Sequence, residues 1–271
     1  MKKIIFFLAS LWGLLSFSSC RKILDYVKHD AGKGTATNCR VDHVSFWRFD
    51  ENRNIAVYDT GKVTYNVLGD PLSLSYTSGG LDRNHWNNKA FKYDKHRRLV
   101  SYLDGAKPGF DFGTYWNNYY YINDTLIIDS VFGNAHGDFF KQDRPTMIID
   151  GDDPTYVWAK TIRLDSYGRI IEVNEDGAIA VYTYTAEGNR QQYGYPEYTT
   201  MLNIKQTSKT WMFIAEDYSI NTPVSFSGPQ RFNSQKLPIG DGYDLDFFTF
   251  GTWSGFNEGI SRDLKISYIC H

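Results

Sequence analysis

Leu164-Asp-Ser-Tyr-Gly-Arg-Ile170 is the stretch that decides the fold. An apolar residue precedes Asp, then two free positions, Gly, Arg and a second apolar residue. Phe49-Asp-Glu-Asn-Arg-Asn-Ile55, Tyr93-Asp-Lys-His-Arg-Arg-Leu99 and Tyr184-Thr-Ala-Glu-Gly-Asn-Arg190 lie over it. An Asp that opens a turn accepts hydrogen bonds from backbone amides two residues on, and the fifth position of the segment suits a left-handed backbone. Gly168 and Gly188 adopt that conformation freely, whereas Arg53 and Arg97 adopt it at a steric cost. Each segment therefore reads as strand, tight turn, strand.

The rest of the chain agrees with hairpins. Tyr, Phe and Trp number 20, 18 and 7 in 271 residues. From Cys20 onward Ala and Leu, the best helix formers, are scarce beside Tyr, Phe, Thr and Val. Strand-length aromatic or β-branched runs bounded by turn residues span Val41 to Phe49, Lys62 to Leu68, Leu72 to Thr77, Tyr115 to Ile122, Leu126 to Phe132, Tyr156 to Leu164, Ala178 to Tyr184 and Leu264 to Ile269. No sustained 3.6-residue period appears among them. Strands at short spacing without intervening helices imply antiparallel hairpins rather than a parallel α/β sheet. The expected fold is all-β: a single antiparallel meander of hairpins, able to curl into a barrel or half-barrel. No linker divides it, so 41–271 reads as one β-rich domain.

The repeats resemble the Tyr-Asp repeats of Rhs-type proteins. They are more closely similar to Bacteroidetes-type lipoproteins of unknown function built from Tyr-Asp-x-x-Gly-Arg-Leu hairpins. That resemblance implies a porin-like antiparallel β meander. It implies no catalytic residue.

The N-terminus reads as an address. Lys2 and Lys3 precede a short apolar run, Ile4 to Leu15, and Ser18 and Ser19 lead into Cys20. This is the pattern of a secretory signal, too short to span a bilayer. Leu-Ser-Phe-Ser-Ser-Cys resembles a bacterial lipobox, so residues 1–19 are expected to be a lipoprotein signal peptide and Cys20 the lipid attachment site. Residues 20–40 then form a lipid-anchored tether. Several acyl chains on one Cys anchor stably where one is marginal. Arg21 in place of Asp, and the lack of an early acidic run, favour an outer membrane and its periplasmic face over the cell surface.

Charge excludes one class of partner. The chain carries 29 Lys+Arg against 31 Asp+Glu, which leaves no basic excess for nucleic acid. Loss of Lys2 and Lys3 with the signal makes the remainder more acidic. The expected partners are the membrane, through the anchor, and a glycan or another envelope protein.

Chemistry is sparse. In an oxidising compartment Cys39 and Cys270 are expected to pair as a disulfide. Asp150-Gly-Asp-Asp-Pro154 lacks the spacing of an EF-hand loop, and the six His include no zinc-ligand spacing, so neither metal nor cofactor is expected. Gly251-Thr-Trp-Ser-Gly255 has its Ser one place late for a nucleophile elbow. Glu172, Glu175 and Glu187 are candidate carboxylates for glycoside hydrolysis only if folding brings two together. Trp86, Trp116 and Trp253 sit beside amides or hydroxyls, an arrangement suited to stacking on sugar rings, and are the candidate ligand-binding residues. These readings converge on a non-enzymatic structural or ligand-binding envelope module. The alternatives are a glycoside hydrolase-like enzyme and an accessory subunit of an envelope complex.

Overall fold

A computed structural model describes residues 37–50, 55–77, 88–105, 115–133, 155–191, 197–224, 230–240 and 264–270. Ten strands follow one another as β1 (Cys39–Asp50), β2 (Ile55–Tyr65), β3 (Pro71–Tyr76), β4 (Asn88–Tyr93), β5 (Leu99–Gly105), β6 (Tyr115–Asn123), β7 (Leu126–Gly133), β8 (Thr155–Leu164), β9 (Ile170–Glu175) and β10 (Ala178–Val181). Beyond them come β11 (Thr183–Tyr184), β12 (Arg190–Gln191), β13 (Tyr198–Leu202), a 3-10 turn (Ile204–Thr207), the helix α1 (Lys209–Ile214), β14 (Asn221–Pro223) and β15 (Lys265–Cys270). The first ten strands pair in sequence order, and β15 adds antiparallel to β1, giving an eleven-stranded sheet with β10 and β15 at its edges. The molecule is thus an all-β antiparallel meander.

The sheet does not close into a barrel. Closure needs a ladder between β10 and β15. Among the described residues, β15 pairs with β1, while the chain leaving β10 forms the small β11–β12 and β13–β14 ladders. The helix α1 was not legible, because six residues are too few to show a helical period.

Five turns share one hydrogen-bonding scheme. The opening residues are Asn66, Asp94, Asp165, Thr185 and Asn233, and in every copy the carbonyl of the opening residue accepts from the amide three residues on, at 3.0 Å. Asp94 Oδ1 accepts from the amides of His96 (2.8 Å) and Arg98 (3.0 Å), and Asp165 Oδ1 from Tyr167 (2.8 Å) and Arg169 (2.9 Å). Asn66 and Asn233 do the same, whereas Thr185 reaches only Asn189. The residue in the left-handed position is Gly69, Arg97, Gly168, Gly188 or Lys236, with φ between 62° and 87°. Three of these turns belong to the repeats read from sequence. The copies opened by Asn66 and Asn233 escaped that reading because Asn replaces Asp. The Asp50 copy runs into residues 51–54, outside the described residues.

Repeats are also tied to each other. Arg98 Nε and Arg169 Nε each donate to the turn Asp, at 2.8 Å, and each guanidinium lies 4.3 Å over the tyrosine before the next downstream turn of its kind or its neighbour, Tyr121 and Tyr184 respectively. These two tyrosines, and Tyr65 and Tyr93 before the Asn66 and Asp94 turns, donate to the start of an earlier strand: Tyr65 to the Val41 carbonyl (2.6 Å), Tyr93 to Pro71 (2.8 Å), Tyr121 to Leu99 (3.1 Å) and Tyr184 to Ile170 (3.1 Å). Leu164, at the corresponding place, has no hydroxyl and packs against the core instead.

Directly opposed residues share a face, so register defines the interior. Val44–Gly61–Tyr76, Val63–Leu74–Lys89–Asp104, Phe91–Tyr102–Asn117–Val131 and Tyr121–Ile127–Ile162–Val173 all point inward. Trp211 of α1 is fully buried against this face, with its ring 5.3 Å from Phe91, edge on, and Phe213 meets Tyr119 at 5.0 Å. The Tyr93 hydroxyl lies 2.7 Å from Thr210 Oγ1, which ties α1 to the turn-bearing strand β4. One cluster therefore joins β1 through β9, α1 and β15. Gly61 is required here, since a Cβ would stand 2.5 Å from the Tyr76 ring.

Turn conformation sets a measurable cost. Gly168→Ala meets no atom within 4 Å, so its effect is the left-handed backbone alone, and stability in chemical denaturation falls by about 1 kcal/mol. Lys236→Gly moves stability the other way by less, because glycine also gains freedom in the unfolded chain.

Candidate functional site

Charged groups stand on the same inner face as the core. Lys89 is fully buried opposite Leu74 and Asp104, and its Nζ donates to Asp104 Oδ1 at 2.8 Å. Burial pulls the Lys89 pKa below its usual value, against the opposing pull of Asp104. The hydroxyls of Tyr76 and Tyr102 are pushed well above the usual tyrosine range, by burial first and by the Asp104 charge second. Asp59, also fully buried, accepts from the Thr77 hydroxyl at 2.6 Å and the Thr60 amide at 2.8 Å.

A second group lies along Tyr119–Asp129–Lys160–Glu175. Both oxygens of the fully buried Asp129 accept from Asn117 Nδ2 at 3.0 Å, with Lys160 Nζ 3.7 Å away. Lys160 donates to Glu216 Oε1 at 3.1 Å, and Tyr182 Oη to Glu216 Oε2 at 2.6 Å. Glu216 follows α1 at φ 50°, in a conformation unfavourable for a non-glycine residue. It thereby joins the helix to β8. Arg190 completes the group, lying 3.9 Å over the Tyr182 ring and donating to the Glu216 carbonyl. Burial raises the Asp129 pKa to about 6, against Lys160 and Asn117. Burial also opposes the charge of Lys160, but Glu216 and Asp129 outweigh it and hold its pKa above the usual lysine value.

Of the candidate ligand-binding residues, Trp116 alone is among the described ones. Trp116 lies on the outer face: its register partners are Leu103 and Phe132, its Nε1 donates to Ser101 Oγ at 2.6 Å, and its ring packs on Ala90 and Leu103. Trp86, Trp253 and Cys20 fall outside the described residues, as do Asp150–Pro154, His136–Asp138 and Gly251–Gly255. Cys39 and Cys270 are joined as a disulfide, at the directly opposed positions of β1 and β15. For a loop of that length the chain-entropy effect is at most about 5.5 kcal/mol. Glu172 pairs with Arg163 on the outer face, Glu175 faces Lys160 on the inner one, and Glu187 is exposed in a turn. No two of these carboxylates form a hydrolytic pair.

Lys89, Asp104, Asp129, Lys160 and Glu216 were not singled out from sequence. A strand that alternates apolar and charged residues suggests an outward charged face, and only the register shows these charges pointing inward. Among the described residues no group of three His, Cys, Asp or Glu is arranged to hold a metal ion, and no helix is long and apolar enough to cross a membrane. An open depression of about 390 Å³ lies apart from the charged groups, lined by Asn66, Asp70, Leu72, Tyr93 and Arg97 among others. The chain matches no protein-family model and no curated protein sequence.

Two measurements test these assignments. Asp104→Leu removes the carboxylate beside a buried ammonium and lowers stability by about 3–5 kcal/mol, and Lys89→Met in the same chain recovers most of it. Because the folded pKa of Asp129 is raised, the native state holds an extra proton between about pH 4 and 6, so this group makes stability fall as pH rises through that window. Asp129→Asn abolishes that contribution, read as the difference between the two denaturation-against-pH curves.

Proposed function

We propose that the protein is a lipid-anchored module of the cell envelope, with a structural or ligand-binding role and no catalysis of its own. The observation that carries this reading is the N-terminal signal pattern ending at Cys20. The disulfide between Cys39 and Cys270 supports it, because such bonds persist in oxidising compartments. The disposition of the interior supports it too. Among the described residues the charged groups there pair with one another and with Glu216 after the helix, the arrangement of a scaffold held in one shape. Arg21 after Cys20 favours an outer membrane, and the lack of an early acidic run favours its periplasmic side.

The glycan-binding form of the role rests on Trp86, Trp116 and Trp253. Trp116 is half-buried beside Phe132, leaving part of its surface for stacking. Retention on a glycan array that is unchanged by Trp86→Ala and Trp116→Ala removes this form.

The anchor has its own test. Cells expressing the full chain are fed a labelled fatty acid. The wild type incorporates label and stays with the membrane fraction, whereas Cys20→Ser incorporates none and moves to the soluble fraction. Label on the Cys20→Ser chain, or an unlabelled wild type, overturns the reading.

A further inference from the structure

We infer that the tight-turn end of the meander docks on a bilayer surface by inserting apolar turn tips. In an up-and-down meander alternate connections fall at the same end. The turns after β2, β4, β6 and β8 therefore share one end of the sheet. The start of β1 and the end of β15 belong to that end too, through the opposed pair Cys39 and Cys270. The chain thus enters the folded body at the tight-turn end.

That end carries exposed apolar residues, of which Tyr167 has the Arg169 guanidinium 5.2 Å over its ring. Val67 and Leu68 occupy the two free positions of their turn and are 102% and 61% exposed. Other copies of the same turn hold Lys95-His96, Ala186-Glu187 and Ser234-Gln235 there, so the turn itself demands no apolar side chain. Tyr167, at the matching place of the β8–β9 turn, is 68% exposed, and Ile122, beside the β6–β7 turn, is 56% exposed. Scattered exposed apolar residues are ordinary, but these four recur at one end of an otherwise polar set of turns. Three of the acidic groups at that end are also paired, while Asp124 and Glu187 are exposed in its turns. Asp70, Asp94 and Asp165 each pair with an arginine, at 2.7 Å. A rim with three arginine-paired aspartates and exposed Val, Leu, Ile and Tyr fits the interfacial region of a bilayer, where such residues partition favourably.

The choice of occupant rests on the anchored reading above. Sixteen residues lie between Cys20 and Thr37, a reach of at most roughly 60 Å, so an acyl anchor at Cys20 keeps the body, tethered through this end, within that distance of the bilayer at high effective concentration. Docking then needs only weak affinity of its own.

The test keeps the two readings apart. An environment-sensitive fluorophore is placed on Val67→Cys or, at the opposite end in the β9–β10 turn, on Asp176→Cys. Both are made in the full chain carrying Cys20→Ser, which removes acylation, and mixed with phosphatidylethanolamine–phosphatidylglycerol vesicles. The expected result is a blue shift and loss of emission to a lipid-borne quencher at position 67, with neither at position 176. Val67→Asp with Leu68→Asp weakens vesicle partitioning of the unacylated chain about tenfold or more. A probe at 67 that stays in water, or equal responses at both ends, overturns the inference whether or not Cys20 proves to be acylated. So does a probe response that requires self-association rather than vesicles, which assigns the rim to a second copy. Failure of the labelling test with a positive response at 67 overturns the anchor alone.

Discussion

The fold depends on one local interaction: a side-chain oxygen that opens the repeated turns and, in four of the five, collects the backbone amides two and four residues on. In Asp94 and Asp165 this satisfies donors that a tight reversal leaves without strand partners, and it holds the chain at the left-handed residue that follows. The same carboxylates fix Arg98 and Arg169, whose guanidinium planes lie on Tyr121 and Tyr184. The tyrosines then donate to carbonyls at the starts of earlier strands. Turn, arginine and tyrosine thus link each hairpin to its neighbour, and register propagates along the sheet through contacts between repeats rather than through the ladder alone.

A sheet so ordered still has to fill its inner face. An eight-stranded closed barrel is filled by its own side chains. Here the meander stays open, and the segment from Asn203 to Glu216 supplies Trp211 and Phe213 to the inner face. Glu216 sits where the helix ends and meets Lys160 of β8, so the polar interior also fastens the inserted segment. Buried ion pairs add little net stability compared with apolar residues of the same shape. Lys89–Asp104 and Lys160–Glu216 therefore restrict which helix position and register the sheet accepts.

Much of this was legible in short segments. The repeat announced its turns through Asp165, Gly168 and their counterparts, because the requirement lies within five residues. Arg97 was read as strained in a left-handed position, and it is found there, with its guanidinium bonded to Asp70 of the neighbouring turn. The strands β4, β5 and β9 were implied only as flanks of turns, since runs such as Asn88–Tyr93 alternate weakly. The run Lys62–Leu68 was read too far, through the Asn66 turn, because Val67 and Leu68 look like strand residues. The charged interior was invisible, since alternation shows that two faces exist and not which one turns inward.

By itself the sequence determined the class of fold and the kind of turn, because each rests on neighbours in the chain. The tertiary structure decided that the sheet stays open, that β15 joins β1, that Trp116 faces outward and that Lys89 and Asp129 face inward. Those outcomes depend on residues far apart in sequence, whose opposition is set by register, and a shift of one residue reverses every side chain on a strand.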